Sequence, residues 1–245
     1  MHTTVRGLVI RAVDYKEADR ILTVLTEEMG KITVGARGVR RKNAKHSAAS
    51  QLFAYASMTF IERQGRYTLT DSEVQLQFPG LSADIDKLAL ASYLAELLGT
   101  EGEGNPTGGE SVRLAVNCLY ALSRDLAPVS LIKPVFELRY LAQCGYRPQL
   151  TDCPVCGERP GHGRFNLYEG RLYCGGCGSR PGDVPLDEGA LQAARFILDC
   201  PLREIFSFRL SPEGLRQLSR MTEGYLLAQM DRPFKTLDFY KSLST

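Results

Sequence analysis

With 245 residues, 44% of them hydrophobic and 24% charged, the chain is an ordinary globular protein of one large or two smaller domains, which excludes wholesale disorder. No run approaches the roughly 18 consecutive apolar residues of a membrane-spanning helix, and the opening MHTTVRGLVIRAVDY lacks a signal-peptide pattern, so a cytoplasmic protein without a membrane role is expected. The net charge of +2 names no partner, but it is unevenly spread: 12 Lys/Arg face 8 Asp/Glu through Phe78, and 18 face 20 in the remainder.

From Val5 to Phe78 the pattern has a period of two and is rich in β-branched and aromatic residues, which predicts half-buried strands. They fall near Thr4–Val13, Arg20–Thr26, Lys31–Arg37, Leu52–Arg63 and Arg66–Phe78. Met29-Gly30-Lys31 and Gln64-Gly65-Arg66 have the chemistry of tight reversals. In the fourth strand Leu52, Ala54, Ala56, Met58 and Phe60 share one face. Five short antiparallel strands in about 80 residues predict a small closed barrel of the oligonucleotide-binding (OB-fold) type. An SH3-like barrel has a similar strand count and stays open as an alternative.

Pro79-Gly80 marks a change of period. Beyond it Ile85, Leu88, Ala89, Leu94, Leu97 and Leu98 suit one helix, with Ser82 as its N-cap. An acidic, flexible loop is expected over Thr100–Glu110, a second helix over Ser111–Leu126, and a third over Pro128–Cys144 closed by Gly145. Helix resumes over Asp187–Leu198, and Ser211-Pro212-Glu213 announces a last long helix by a cap residue followed by proline at the first helical position. The expected fold class is α+β in two domains: an OB-fold barrel over 1–79 for nucleic-acid binding, then an α-helical domain over 80–245 with a four-cysteine zinc-ribbon insert at 150–183.

Within that insert Cys153, Cys156, Cys174 and Cys177 form two C-x-x-C pairs on glycine-rich turns, the spacing of a tetrahedral four-cysteine zinc site. Four thiolates leave no open coordination position, so the expected ion is structural. A redox C-x-x-C usually comes once beside a βαβ unit, and a zinc deaminase needs an H/C-x-E motif that this chain lacks. Iron–sulfur ligation is the remaining use of four cysteines, with zinc more usual for this ribbon spacing. Arg164-Phe-Asn-Leu-Tyr and Arg171-Leu-Tyr read as the two ribbon strands, turned by Glu169-Gly170. His162 is expected to face solvent, and the scattered Cys118, Cys144 and Cys200 to act as small core residues.

No acidic residue occurs from Gly30 to Phe60, yet Lys31, Arg37, Arg40, Arg41, Lys42 and Lys45 all lie there. Such an uncompensated cluster neutralises phosphates without reading base sequence. Phe53, Tyr55 and Tyr67 on neighbouring strands are possible stacking faces, although an aromatic stripe is more often barrel core. A solvated loop is the commoner fate of a charge run; here the run sits in the candidate barrel of an otherwise near-neutral chain. No phosphate-binding G-x-x-x-x-G-K-S/T segment is present, and His2, His46 and His162 form no nucleophile–base pair, so no catalytic residue is assigned and a non-enzymatic protein is expected.

Three stretches, VRGLVIRAVDYKEADRILTVLT, the glycine-basic GARGVRRK and the closing PFKTLDFY, together with a helical domain carrying four cysteines, resemble the RecO family of bacterial recombination mediators over essentially the whole chain. The resemblance implies a DNA repair protein of the bacterial cytoplasm and nucleoid that binds single- and double-stranded DNA and anneals complementary strands. It implies work with RecR, in one route with RecF, to load RecA onto strands covered by single-stranded-DNA-binding protein. The family's basic barrel surface carries over onto Lys31, Arg37, Arg40, Arg41, Lys42 and Lys45. The helical half is expected to meet protein partners, including the acidic C-terminal tail of the single-strand-binding protein, though no motif marks that pocket. Not all members keep the cysteines, which makes zinc an accessory to folding. The alternative is a zinc-ribbon factor of RNA metabolism or transcription whose barrel binds RNA; a preference for single-stranded DNA over RNA of equal length separates the two.

Overall fold

A computed structural model describes residues 2–102 and 108–243. The middle of the expected acidic loop, 103–107, lies outside the described residues. Five strands form the N-terminal barrel: β1 (His2–Tyr15), β2 (Asp19–Thr26), β3 (Gly30–Ala36), β4 (Tyr55–Arg63) and β5 (Arg66–Leu76). They close in the order β1-β2-β3-β5-β4. Every pairing is antiparallel except β3 with β5, where Val34 and Gly35 meet Tyr67 and Thr68 in parallel. A closed five-stranded barrel with this crossing is the OB type, which settles the alternative left by strand count.

The interior follows the period of two. Val5, Val9, Leu22, Val24, Val34, Met58 and Phe60 point inward with Ala54 and Ala56. Leu52 does not join them: it is 42% exposed, and β4 begins at Tyr55. A short 3-10 turn at Ala48–Ser50 and a left-handed backbone at Phe53 (φ 65°) break the extended conformation just before the strand. There the Phe53 amide donates to the Val9 carbonyl at 2.8 Å and the Val9 amide to the Ala54 carbonyl at 3.0 Å, beside a bulge in β1.

The outer face of the barrel is partly apolar as well. Leu8 and Leu25 pair across β1 and β2 beside the inward pair Val9 and Val24, and both are buried. Alternation sends them outward, so helices must cover them. These are α1 (Ile85–Leu98) and α2 (Gly108–Ser123), which pack on β1, β2 and β3. Gly80 marks the closest approach, since a Cβ there would meet the Ser123 carbonyl oxygen of α2. Residues up to Arg124 thus form one compact unit with those from Phe234 onward, which include α6 (Lys235–Leu243). Residues Asp125–Pro233 form the other. Secondary structure changes at Pro79, but compactness divides the chain elsewhere than the expected 79/80 boundary, because α1 and α2 complete the burial of the barrel.

Capping follows backbone geometry. Ser82 lies in the helical region after the 3-10 turn Pro79–Leu81, and its hydroxyl donates to the Pro79 carbonyl at 3.1 Å. Asp84 has the extended backbone a cap needs, and its Oδ1 accepts from the amides of Asp86 (2.8 Å) and Lys87 (3.2 Å), so Asp84 and not Ser82 starts α1. α6, which the sequence pattern had not set apart, is tied to α1 by Glu96, whose Oε2 accepts from the Thr236 amide at 3.0 Å, and by Tyr93 edge-on to Phe234.

The second unit contains α3 (Val129–Gln143), a three-stranded sheet, α4 (Glu188–Asp199) and α5 (Pro212–Met230). At the end of α3, Gly145 takes φ +91° and the Tyr146 amide donates back to the Leu141 carbonyl at 2.8 Å, a Schellman-type stop. Asp187 caps α4 and Ser211 caps α5 through their side chains. β6 (Gly163–Asn166) and β7 (Arg171–Tyr173) are the expected ribbon. A third strand, β8 (Asp183–Leu186), pairs on the far side of β6 and packs against α4 and α5.

Candidate metal centre and nucleic-acid interface

The four paired cysteines converge. The sulfurs of Cys153, Cys156, Cys174 and Cys177 all lie within 4.8 Å of one another, and those of Cys156 and Cys174 are 3.6 Å apart. Four sulfurs at about 2.3 Å from one tetrahedral ion sit about 3.8 Å from each other, so the set fits a single ion. Each pair lies on a tight knuckle: the Gly157 amide donates to the Cys153 carbonyl at 2.9 Å, and Gly157 and Gly178 after the second cysteines take positive φ. The Cys174 amide, then those of Cys156 and Val155, overcome burial and hold the Cys153 thiol down at about 6. Its neighbours, Cys174 foremost, push Cys177 up to about 12. The Cys153 thiolate forms easily, whereas Cys174 and Cys177 hold their protons more tightly, so deprotonation of these two is favoured by a bound cation. His162 is exposed and outside the cluster. Of the scattered cysteines, Cys118 and Cys200 are buried with thiols pushed up mainly by burial, while Cys144 is half-buried at the end of α3.

The six cations of the basic segment have different surroundings. The Lys31 ammonium donates to the Gly99 carbonyl at 2.7 Å, at the C-terminal end of α1. Arg40 pairs with Asp14 at 3.2 Å and donates to the Lys16 and Glu17 carbonyls, stapling the β1–β2 turn. Lys45 pairs with Asp71 at 2.8 Å. Arg37, Arg41 and Lys42 are exposed and form no ion pair among the described residues.

Arg37 also lines a cleft of about 760 Å³ on the barrel, with Tyr15, Lys16, Arg20, Arg66 and Tyr67. Its walls are β2 and β3 and the turns β1–β2 and β4–β5, the face on which OB barrels take oligonucleotides. Sequence reasoning missed Tyr15, Lys16, Arg20 and Arg66. Their signal was positional, since they flank the two turns that frame this face. Of the expected stacking residues, Phe53 is buried and the Tyr55 hydroxyl donates to Glu27 at 2.5 Å. Only Tyr67 lines the cleft, its ring 6.2 Å from Phe60.

A closed OB barrel with unpaired surface cations, extended by helices and a four-cysteine centre able to hold a structural metal ion, defines a class of barrel protein built around binding and scaffolding. The family described as Recombination protein O N terminal matches residues 1–78, and that described as Recombination protein O C terminal matches residues 82–238. The chain belongs to the RecO family of DNA repair and recombination proteins. Among its relatives, the DNA repair protein RecO of Symbiobacterium thermophilum is 31% identical, with 98% of this chain and 96% of that one covered. That of Acetivibrio thermocellus is 29% identical over 97% and 95%. That of Alkaliphilus metalliredigens is 28% identical over 97% and 98%.

Proposed function

We propose that the protein is a non-catalytic recombination mediator of the bacterial cytoplasm, which binds single- and double-stranded DNA on the barrel face carrying Arg37, Arg41 and Lys42. The observation that carries this reading is the unpaired Arg37 lining a cleft with Lys16, Arg66 and Tyr67, with the exposed Arg41 and Lys42 following a few residues on in the chain. Unpaired cations release phosphate counterions at no cost in broken ion pairs. Two complementary strands repel each other as polyanions. A cationic barrel screens that repulsion while Tyr15 and Tyr67 offer ring faces to bases that are out of the stack. Annealing then needs no bond chemistry and no catalytic residue.

In the same reading Cys153, Cys156, Cys174 and Cys177 hold one zinc ion, which supplies cross-linking of the ribbon and no reaction step. RecR, the single-strand-binding protein with its acidic tail, and RecF and RecA are the partners the family reading proposes, with RecA loaded onto covered strands. The test is strand annealing of complementary DNA coated with single-strand-binding protein, with and without RecR. Annealing above the spontaneous rate, abolished when Arg37, Arg41 and Lys42 are neutralised together, is expected. A protein that binds RNA and leaves coated DNA unannealed would overturn it.

A further inference from the structure

Resting on the metal reading above, we infer that Arg164 and Arg180 form a cationic collar that positions and charge-balances the four-cysteine centre. Four thiolates around a divalent ion leave a net charge of −2, and such a dianion inside folded chain needs compensation from its surroundings. Arg164, on β6, sends one guanidinium nitrogen, Nη2, to three backbone carbonyls of the second knuckle: Cys174 at 3.4 Å, Gly175 at 3.3 Å, and Gly178. This clamp holds the loop whose amides face the sulfurs. The Nε edge of Arg164 forms an ion pair with Asp183 at 3.6 Å, and that nitrogen is buried without a hydrogen-bond acceptor.

Arg180 acts through an aromatic ring. Its guanidinium carbon lies 3.7 Å from the centre of the Tyr173 ring, and Tyr173 packs directly on Cys153 and Cys174. Its Nη1 is buried with no hydrogen-bond acceptor, and among the described residues it has no acidic partner. The acidic groups nearby are already engaged. Asp183 accepts from the Asn166 side chain and the Arg180 amide at 2.9 and 2.8 Å, and Glu169 accepts the Tyr173 hydroxyl. Asp183 already faces Arg164, but two arginines, each with a buried N–H group that makes no hydrogen bond, would still be costly against a neutral cluster. They are well placed against a dianion.

Both are positioning residues: neither ligates the ion, and each acts on the sulfurs through the knuckle or the ring. The experiment titrates the full-length protein with Co(II) against a competing chelator, reading the metal-centred bands that report tetrahedral sulfur and the sulfur-to-cobalt charge-transfer band. Wild type taking up no tetrahedral cobalt would refute the metal reading itself, separately from the collar. With wild type loaded, Arg180→Gln and Arg164→Gln are each expected to weaken affinity about tenfold, the lower range for residues that support metal ligands. Removing a positive neighbour raises the energy of the sulfur electrons, so the charge-transfer band should move to longer wavelength. Arg180→Lys keeps the charge and should restore band position and most of the affinity. Wild-type affinity and spectrum in both Gln variants would overturn the collar. So would a displaced band in Arg180→Lys, a variant that decides the matter even if Arg180→Gln fails to fold.

Discussion

The Lys31 ammonium sits 2.7 Å from the carbonyl oxygen of Gly99, where it neutralises the C-terminal end of α1. A cation at a helix C-terminus contributes about 0.3–1 kcal/mol. Lys31→Ala is therefore expected to lower the unfolding free energy by about that amount, checked by urea denaturation, while DNA affinity changes far less than on removal of an unpaired cation. A Lys31→Ala protein of full stability with strongly impaired DNA binding would return this residue to the interface.

Arg37, Arg41 and Lys42 should behave in the opposite way. Replacing all three with alanine is expected to leave the melting temperature within a degree or two, as for surface substitutions without partners. It should reduce the slope of log affinity against log salt by up to about one unit for each phosphate no longer neutralised, equally for all base sequences. Fluorescence anisotropy across a salt series checks it. An unchanged slope would place the interface elsewhere.

Metal removal should act locally. Cys174→Ser, or chelation of the wild type, is expected to abolish amide protection in β6, β7 and the two knuckles, because binding free energy at such a site is folding free energy. Barrel strands should keep their protection, since their core draws only on residues of the first unit. Hydrogen exchange read by mass spectrometry distinguishes the two regions. Loss of barrel protection on chelation would contradict this local account.

Between α3 and α5 lies a buried charge triad. Lys133 bonds to Glu137 and Glu223, each at 2.8 Å, and Glu137 also accepts the Thr222 hydroxyl at 2.7 Å. Lys133→Met should cost about 3–5 kcal/mol by stranding the fully buried Glu137 carboxylate, whereas Lys133→Met with Glu137→Leu should cost much less. Burial pushes the Lys133 ammonium down, but Glu137 and Glu223 outweigh it and raise it above its ordinary value. A raised folded value means the contribution is complete below the unfolded pKa of about 10.4 and is lost as pH rises through the folded one. Denaturation at several alkaline pH values should show that decline in wild type and not in the double variant.

What the linear chain determined was local. Alternation marked the five barrel strands, because side chains at i and i+2 must share one face whatever covers it. Cysteine spacing marked the four sulfurs that converge, because two knuckles of three peptide bonds each can present sulfur to one point without knowledge of the rest. Ser211 and Asp187 read correctly as helix starts, since a cap and its amides lie within one turn.

Tertiary structure decided whatever depends on a distant partner. Six cations looked alike in one acid-free stretch, yet Asp14, Asp71 and the Gly99 carbonyl, all outside it, bind Arg40, Lys45 and Lys31 and leave three free. Lys16, Arg20 and Arg66 come to line the cleft with Arg37 only when the parallel β3–β5 pairing closes the barrel. β8 and the collar of Arg164 and Arg180 took shape the same way, by strand pairing and by carbonyls and a ring brought near in folding. Charge and polarity are properties of a residue, but whether they are spent inside the fold depends on which groups the backbone brings within hydrogen-bond reach, and no local window contains that information.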